Sequence, residues 1–494
     1  MTGFTEAERY LARLAQRSFL SLWSYTNVFR DEFDSKSGSK EGKEVCDLIV
    51  VFDKHIILFS DKDCKYGANP DEKVAWRRWY KKSVESSAKQ IYGAERWIKN
   101  FPDRIFLDTA CTIPFPIKIP DLEDIKFHRV AVVHSISDEC KRYFSGGSGS
   151  LIYDSTISSS EHIDGNCEPF RIGQIDPTKG YVHVLDDNTL EVMMGELDTV
   201  SDFVSYLEKK EKLIESCQII APGEEELLAH FLARIDENGE HNFVFEPKAD
   251  TIFLEEGFWE SYKKNPQSIR KKHADQDSYV WDGLIEALSH HVVQGTQHHT
   301  NSPGISGIEP ALRMMAQLGR FERRLAGKSL IDFLDRYAYQ GTVKASRIIK
   351  VTSRPHLNFV LFVLPHLKNK DYEDYRRLRR TMLEVYCLAM KVRYPDLLDI
   401  VGLGFDAGEH AHRSEDLMYL DARDWDTSIN AQIIEDMKAF DIFQTDLDKN
   451  MRKMGENEYP DPPKRSIPMK NRDGNKPCPC GSGKKFKKCC GFRI

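Results

Sequence analysis

Between Glu44 and Lys62 the chain reads Glu-Val-Cys-Asp-Leu-Ile-Val-Val-Phe-Asp-Lys-His-Ile-Ile-Leu-Phe-Ser-Asp-Lys, two apolar runs parted by Asp53-Lys54. Short Val/Ile/Leu/Phe runs bounded by charges predict two buried strands joined by a tight hairpin. Asp47 falls near the start of the first strand and Lys62 just past the last apolar residue of the second. Both can therefore emerge at one sheet edge. A carboxylate and an amine meeting there can hold a divalent cation and steady a phosphate or an attacking water. The plainer alternative is a buried hairpin with solvated charged ends.

Helical periodicity surrounds this hairpin. Thr5-Glu6-Ala7-Glu8 fits a capping box, and Tyr10, Leu11, Leu14, Phe19 and Leu20 follow at helical spacing, predicting a helix over residues 6–22. A second amphipathic segment spans 72–100, with Trp76, Trp79, Tyr80, Val84, Ala88, Ile91, Tyr92 and Trp97 on its apolar face. Short strands are expected at 104–107, 129–134 and 181–185. The Gly/Ser stretch from Ser145 to Ser150 reads as a mobile loop or domain edge, and Asp198 or Thr199 caps another helix. Residues 222–290 look mainly helical, with some α+β character, and helical pattern resumes over 308–337. An apolar run at 358–365, a helix at 371–392 and a second apolar run at 397–405 predict a βαβ unit. Three prolines in residues 456–463 read as a linker.

The N-terminal pattern resembles the PD-(D/E)xK nuclease core. Asp47 matches the first acid of that motif and Lys62 its lysine, while Ser60 stands where the second acid belongs, with Asp61 beside it. Alternation along a strand turns Asp61 away from Lys62 unless a bulge re-aims it. The second acid migrates in that family, so Glu44, or Glu85 on the following helix, can substitute. Glu8 is placed where the first helix of such cores donates a glutamate, although a capping role competes. Gln90 resembles the glutamine that many of these nucleases carry on the helix after the lysine strand. The resemblance implies a restriction-endonuclease-like α/β core over residues 1–140 and a site using Mg²⁺ or Mn²⁺. Asp47 with Glu44, or with Asp61 through a bulge, would hold the ion, and Lys62 would orient water or stabilise charge on phosphorus. It implies a nucleic-acid substrate and, by analogy, anti-phage defence. Lys81, Lys82, Lys89 and Arg96 can then face phosphates or simply form a solvated helix face.

At 494 residues the chain is long enough for several domains, expected at 1–140, 141–220 (an α/β extension), 221–455 (mostly helical with the βαβ layer), 456–475 (linker) and 476–494. No apolar run approaches the roughly 20 residues needed to cross a bilayer, and Glu6 and Glu8 occupy the place of a signal peptide's positive charges, so a cytoplasmic protein is expected. The net charge of −7 conceals an asymmetry: from Lys464 onward ten Lys/Arg face one Asp, leaving the rest strongly acidic. Nucleic-acid attraction is thus a local property of the tail. Of eleven cysteines, four crowd the motif Cys478-Pro-Cys480-Gly-Ser-Gly-Lys-Lys-Phe-Lys-Lys-Cys489-Cys490. Two close thiolate pairs joined by a Gly-rich turn can close a tetrahedral shell around Zn²⁺, and so short a segment cannot otherwise bury a core. The sequence resembles the SEC-C motif, the zinc-binding tail of the bacterial translocase motor and an appendage on many other bacterial proteins. It implies a closed structural zinc site and a protein or ribosome contact. A non-enzymatic adaptor, with a degenerate nuclease fold and a zinc tail that binds a protein, ribosome or nucleic acid, is the alternative, and Ser60 favours it. A chaperone-like export factor is a third expectation, suggested by the tail alone. The pairs His290-His291 and His298-His299, and His410 with His412, lack ligand spacing and read as structural or surface residues. Arg320, Arg323 and Arg324 cluster, and Arg376, Arg377, Arg379 and Arg380 read as a phosphate stripe or, preferably, a salt-bridged surface.

Overall fold

The computed structural model describes residues 5–32, 41–121, 123–237, 239–245, 250–297, 304–338, 343–366, 371–407, 414–443, 455–462, 475–477 and 483–488. Thr5 caps α1 (Glu6–Phe19) by accepting the Glu8 amide, and the Glu8 carboxylate returns a bond to the Thr5 amide, as the capping box predicts. The helix ends three residues earlier than expected because Leu20 turns to a φ of 65°. A meander follows: β1 (Ser24–Arg30), β2 (Lys43–Phe52) and β3 (His55–Asp63), all antiparallel, with Asp53 at φ 52° in the predicted turn. The chain then runs through α2 (Glu72–Tyr80), a π-helical turn at Lys81–Glu85, and α3 (Ser86–Asn100), returning in β4 (Lys126–His134) parallel to β3. The strand Val182–Leu185 pairs parallel with β4 and completes a five-stranded sheet.

Helices cover both faces of this sheet, which is why the hairpin reads as continuous apolar runs rather than alternation. On one face Phe59 of β3 lies 6.1 Å from Phe19 of α1 and 6.2 Å from Phe203 of the helix Val200–Ser216. Its neighbour Ser60 points the other way and meets Gln90 of α3. Thr199 caps the helix Val200–Ser216, as expected.

The predicted βαβ unit is present. Strands Leu357–Pro365 and Asp399–Ala407 pair in parallel and are joined by the helix Tyr372–Arg393, with antiparallel strands Ala345–Lys350 and Glu415–Asp421 at the edges. A small third sheet gathers Arg171–Gln174, Ile152–Ser158, Gln218–Ala221 and Thr251–Phe253. One apolar core runs from Leu11 to Ala407 and joins the first two sheets through the helices between them. Trp281, for example, stacks edge-on against Phe359 at 5.2 Å.

Several expectations change. The strand expected at 104–107 shrinks to bridges from Phe106 to Phe29 and to Pro114. The Gly/Ser stretch is pinned: Ser148 donates its amide to Glu256, and Gly149, at φ 84°, lies so close to Ser137 that a Cβ would meet that carbonyl at 2.7 Å. Part of the expected linker is a strap, in which Arg324 donates to the carbonyls of Asn457 and Glu458 and Tyr459 donates to that of Leu232. Arg320, Arg323 and Arg324 are buried against Asp198, Asp282 and Asp275. Arg379 is buried against Asp406 and Asp416, with Arg376 also on Asp416 and Arg377 on Asp374, in keeping with salt bridges rather than a free phosphate stripe. His290 and His291 lie on the helix Tyr279–Val293, whereas His298, His299, His410 and His412 fall outside the described residues. No described helix is long and apolar enough to cross a membrane.

Candidate active site at the open end of the hairpin

The ladder between β2 and β3 ends at Leu48↔Phe59. Beyond it a side chain takes over from the backbone: Asp47 Oδ2 accepts the Asp61 amide at 2.6 Å. Asp47 is 5% exposed, and burial raises its pKa, partly offset by the Asp61 amide and by the positive charge of half-buried Lys62. The two end residues of the sequence motif are therefore electrostatic neighbours at one rim.

Further carboxylates join them. Glu44 is raised first by burial and then by repulsion from Asp47, and Lys62 pulls it back down. Asn27 of β1 bridges two acids: its Nδ2 donates to Glu44 Oε1 at 3.1 Å and reaches Glu8 Oε2 at 3.4 Å. Glu8 thus keeps its capping role and also raises both Asp47 and Glu44, so the two roles weighed for it coexist. Asn27 itself carries no periodic signal in the sequence. It sits at φ 50°, just before a bulge in the β1–β2 register, and its buried Oδ1 has no hydrogen-bond partner.

Ser60 and Asp61 settle differently. Ser60 is fully buried and donates to Gln90 Oε1 at 3.1 Å, so the place of the second acid is filled by a neutral hydrogen bond between β3 and α3. The β3–β4 register runs unbroken from His55↔Lys126 to Asp63↔His134, with no bulge to re-aim Asp61. Asp61 instead approaches His134, whose Nε2 lies 2.8 Å from Asp61 Oδ1 and whose Nδ1 lies 2.5 Å from Asp187 Oδ1. Burial alone would lower the His134 pKa, but the two carboxylates carry it up to about 10. Glu85 is paired with Lys89 at 2.6 Å, while Lys81, Lys82 and Arg96 are exposed.

The rim therefore brings Asp47, Lys62, Glu44 and Glu8 together around Asn27, with Gln90 behind Ser60 and Asp61 turned to the opposite face. Among the described residues three acids and one lysine share this rim with a buried amide oxygen that accepts no hydrogen bond, a donor set suited to a hard divalent cation. Among the described residues no three of these carboxylates place one oxygen each within 4.8 Å of one another.

The four tail cysteines lie outside the described residues. Around them, Pro477 bridges Lys485 and the chain turns through Phe486–Lys488, with the Lys488 amide on the Lys485 carbonyl. Four thiols at the spacing of Cys478, Cys480, Cys489 and Cys490 are the donor chemistry of a structural zinc site.

The SEC-C motif matches residues 475–492. Two curated proteins, each named protein translocase subunit SecA, are similar to the chain over short stretches. That of Trichlorobacter lovleyi is 43% identical over 60 residues, covering 12% of this chain and 6% of its own length. That of Pelotomaculum thermopropionicum is 38% identical over 66 residues, 13% of this chain and 7% of its own. The chain thus spans only a small fraction of these relatives. No solved structure matches it.

Proposed function

We propose that the hairpin rim is the active site of a metal-dependent nuclease. The observation that carries this reading is the coupling of buried Asp47 to Lys62 at the point where the β2–β3 ladder ends, with Glu44, Glu8 and Asn27 beside them. Asp47 and Glu44, with the Asn27 carbonyl oxygen, would hold Mg²⁺ or Mn²⁺. The bound ion supplies Lewis acidity toward a phosphoryl oxygen and a more acidic water. The chain's own part is electrostatic: the Lys62 ammonium is a fixed positive charge for the oxygens of a phosphodiester, and the Ser60–Gln90 bond holds β3 and its lysine against α3. The order α1, three-stranded meander, α3 and parallel β4 supports a restriction-endonuclease-like core. Cleavage of DNA or RNA in Mg²⁺ or Mn²⁺ that disappears in Asp47→Ala and Lys62→Ala tests it.

Ser60 in the acid position and Asp61 held by His134 favour a second reading, a non-catalytic adaptor built on a degenerate nuclease fold. In both readings Cys478, Cys480, Cys489 and Cys490 bind structural Zn²⁺, and the tail contacts a protein, ribosome or nucleic acid in the cytoplasm. The likeness to the translocase subunit supports the protein contact. Anti-phage defence is a setting for the nuclease reading, resting on analogy of mechanism. A pull-down whose partner is lost with Cys478 and Cys480, from a chain that never cleaves, would select the adaptor.

A further inference from the structure

At the opposite end of the first sheet, seven residues along β3 from Lys62 and so about 23 Å away, three histidines descend across three neighbouring strands. His55 pairs in register with Lys126, His128 with Ile57, and His183 with Val130. By alternation all three face the same side. That side is covered by the helix Val200–Ser216, where Glu208 and Glu211, three apart, share one face.

The side chains converge. His55 Nδ1 is 3.0 Å from His128 Nε2 and 4.0 Å from Glu208 Oε1, and one donor atom from each of the three lies within 4.8 Å of the others. Among the described residues this is the one group of three His, Cys, Asp or Glu side chains gathered so tightly. Donors around a tetrahedral zinc ion with bonds near 2.0–2.1 Å are separated by about 3.3 Å, which falls between the 3.0 Å and 4.0 Å separations found here. His183 backs the group, its Nε2 3.0 Å from Glu211 Oε1. His128, 3% exposed, and His183, wholly buried, each also keep an unpartnered Nδ1, so neither ring is fully hydrogen-bonded. The present occupant of Glu208 is Lys126, whose Nζ lies 2.8 Å from Oε1 on a side chain that is half exposed and can swing out to water.

We propose that His55, His128 and Glu208 form a second, thiol-free binding site for a first-row divalent metal, with zinc as the natural occupant. Two imidazoles and a carboxylate leave a fourth position for water. The ion ties β3 and β4 to the helix Val200–Ser216 across the sheet end remote from the rim. Its existence does not depend on the nuclease reading.

The test uses the full chain, stripped with a chelator and titrated with Zn²⁺ alone, with bound metal counted by elemental analysis and calorimetry. Replacing Cys478 and Cys480 with serine removes the tail site, and this variant should retain one equivalent. Adding His55→Ala should abolish that equivalent, and adding Glu208→Gln should weaken it at least tenfold. Lys126→Ala, a surface change that frees Glu208, should tighten it several-fold. Cobalt substituted into the tail variant should show bands without a thiolate charge-transfer transition. A tail variant that binds no zinc while melting as the parent does, or a retained equivalent indifferent to His55→Ala, Glu208→Gln and Lys126→Ala, overturns the assignment.

Discussion

Glu458 sits in the strap that a Pro-rich composition disguises as a linker, and its neutralisation is a sharp test of how charge is built into this fold. The carboxylate lies 3.0 Å from His241 Nε2 and 3.4 Å from Lys271 Nζ, and Lys271 in turn lies 2.9 Å from Asp275, which also pairs with Arg324. Burial alone would raise the Glu458 pKa, but His241 and Lys271 bring it from an ordinary 4.5 down to about 2. At 1.36 kcal/mol per tenfold change in proton affinity, this corresponds to about 3.4 kcal/mol of folded-state preference for the ionised form. The side chain keeps 22% of its exposure, so solvent screening reduces that to about 2–3 kcal/mol. Because the folded pKa is depressed, the contribution is complete above about 4.5 and fades as pH falls toward 2. Glu458→Gln should therefore lower stability by about 2–3 kcal/mol at pH 7, where it strands Lys271 and His241, and hardly at all near pH 2. Guanidinium unfolding followed by tryptophan fluorescence suits the region, since Trp259 stacks on Tyr262, which hydrogen-bonds Tyr459. A loss under about 0.5 kcal/mol at pH 7, or one independent of pH, would refute the reasoning.

Other consequences follow from the same electrostatics. The His134 pKa is raised to about 10, so its pairing with Asp61 and Asp187 contributes fully below about 6.5 and is lost as pH rises toward 10; thermal melts across that window should flatten in His134→Gln. Burial raises Glu44 and Asp47, helped by Asp47 acting on Glu44 and by Asp61 and Glu8 acting on Asp47, so Mn²⁺ binding at the rim should strengthen as pH climbs past the ordinary carboxylate range, and a calorimetric affinity flat in pH would count against a cation there. Cys480→Ser should release the tail zinc yet leave the melting of the body unchanged, because the apolar core among the described residues is closed between Leu11 and Ala407. A body that melts several degrees lower would show that the tail is packed onto it.

The parts legible in the sequence are those governed by local pattern. β2 and β3 are buried on both faces, so their apolar runs announce them, and the strand–helix–strand rhythm of 358–405 announces the parallel pair. The cysteine spacing is equally local. What escaped notice depends on partners distant in sequence. Asp61 is held by His134, which Asp187 holds in turn, and Glu458 by His241 and Lys271, so their roles exist only after folding. Asn27 belongs to the rim through a positive φ beside a bulge, a backbone property that composition does not carry. Burial of Arg320, Arg323, Arg324 and Arg379 likewise depends on aspartates from other elements, and without them an arginine cluster resembles a surface.

The proposed nuclease has an acid and an amine at the end of one hairpin acting on a phosphodiester with a divalent ion. Single-turnover cleavage of labelled DNA and RNA by the purified full chain in Mn²⁺, alongside Asp47→Asn and Lys62→Met variants whose folding is verified by their melts, measures it directly. The parent should cleave, and each variant should lose at least a hundredfold, about the scale of removing one electrostatic contact to the transition state. Cleavage that survives intact in both variants, or a parent that binds nucleic acid and never cuts it, would contradict it.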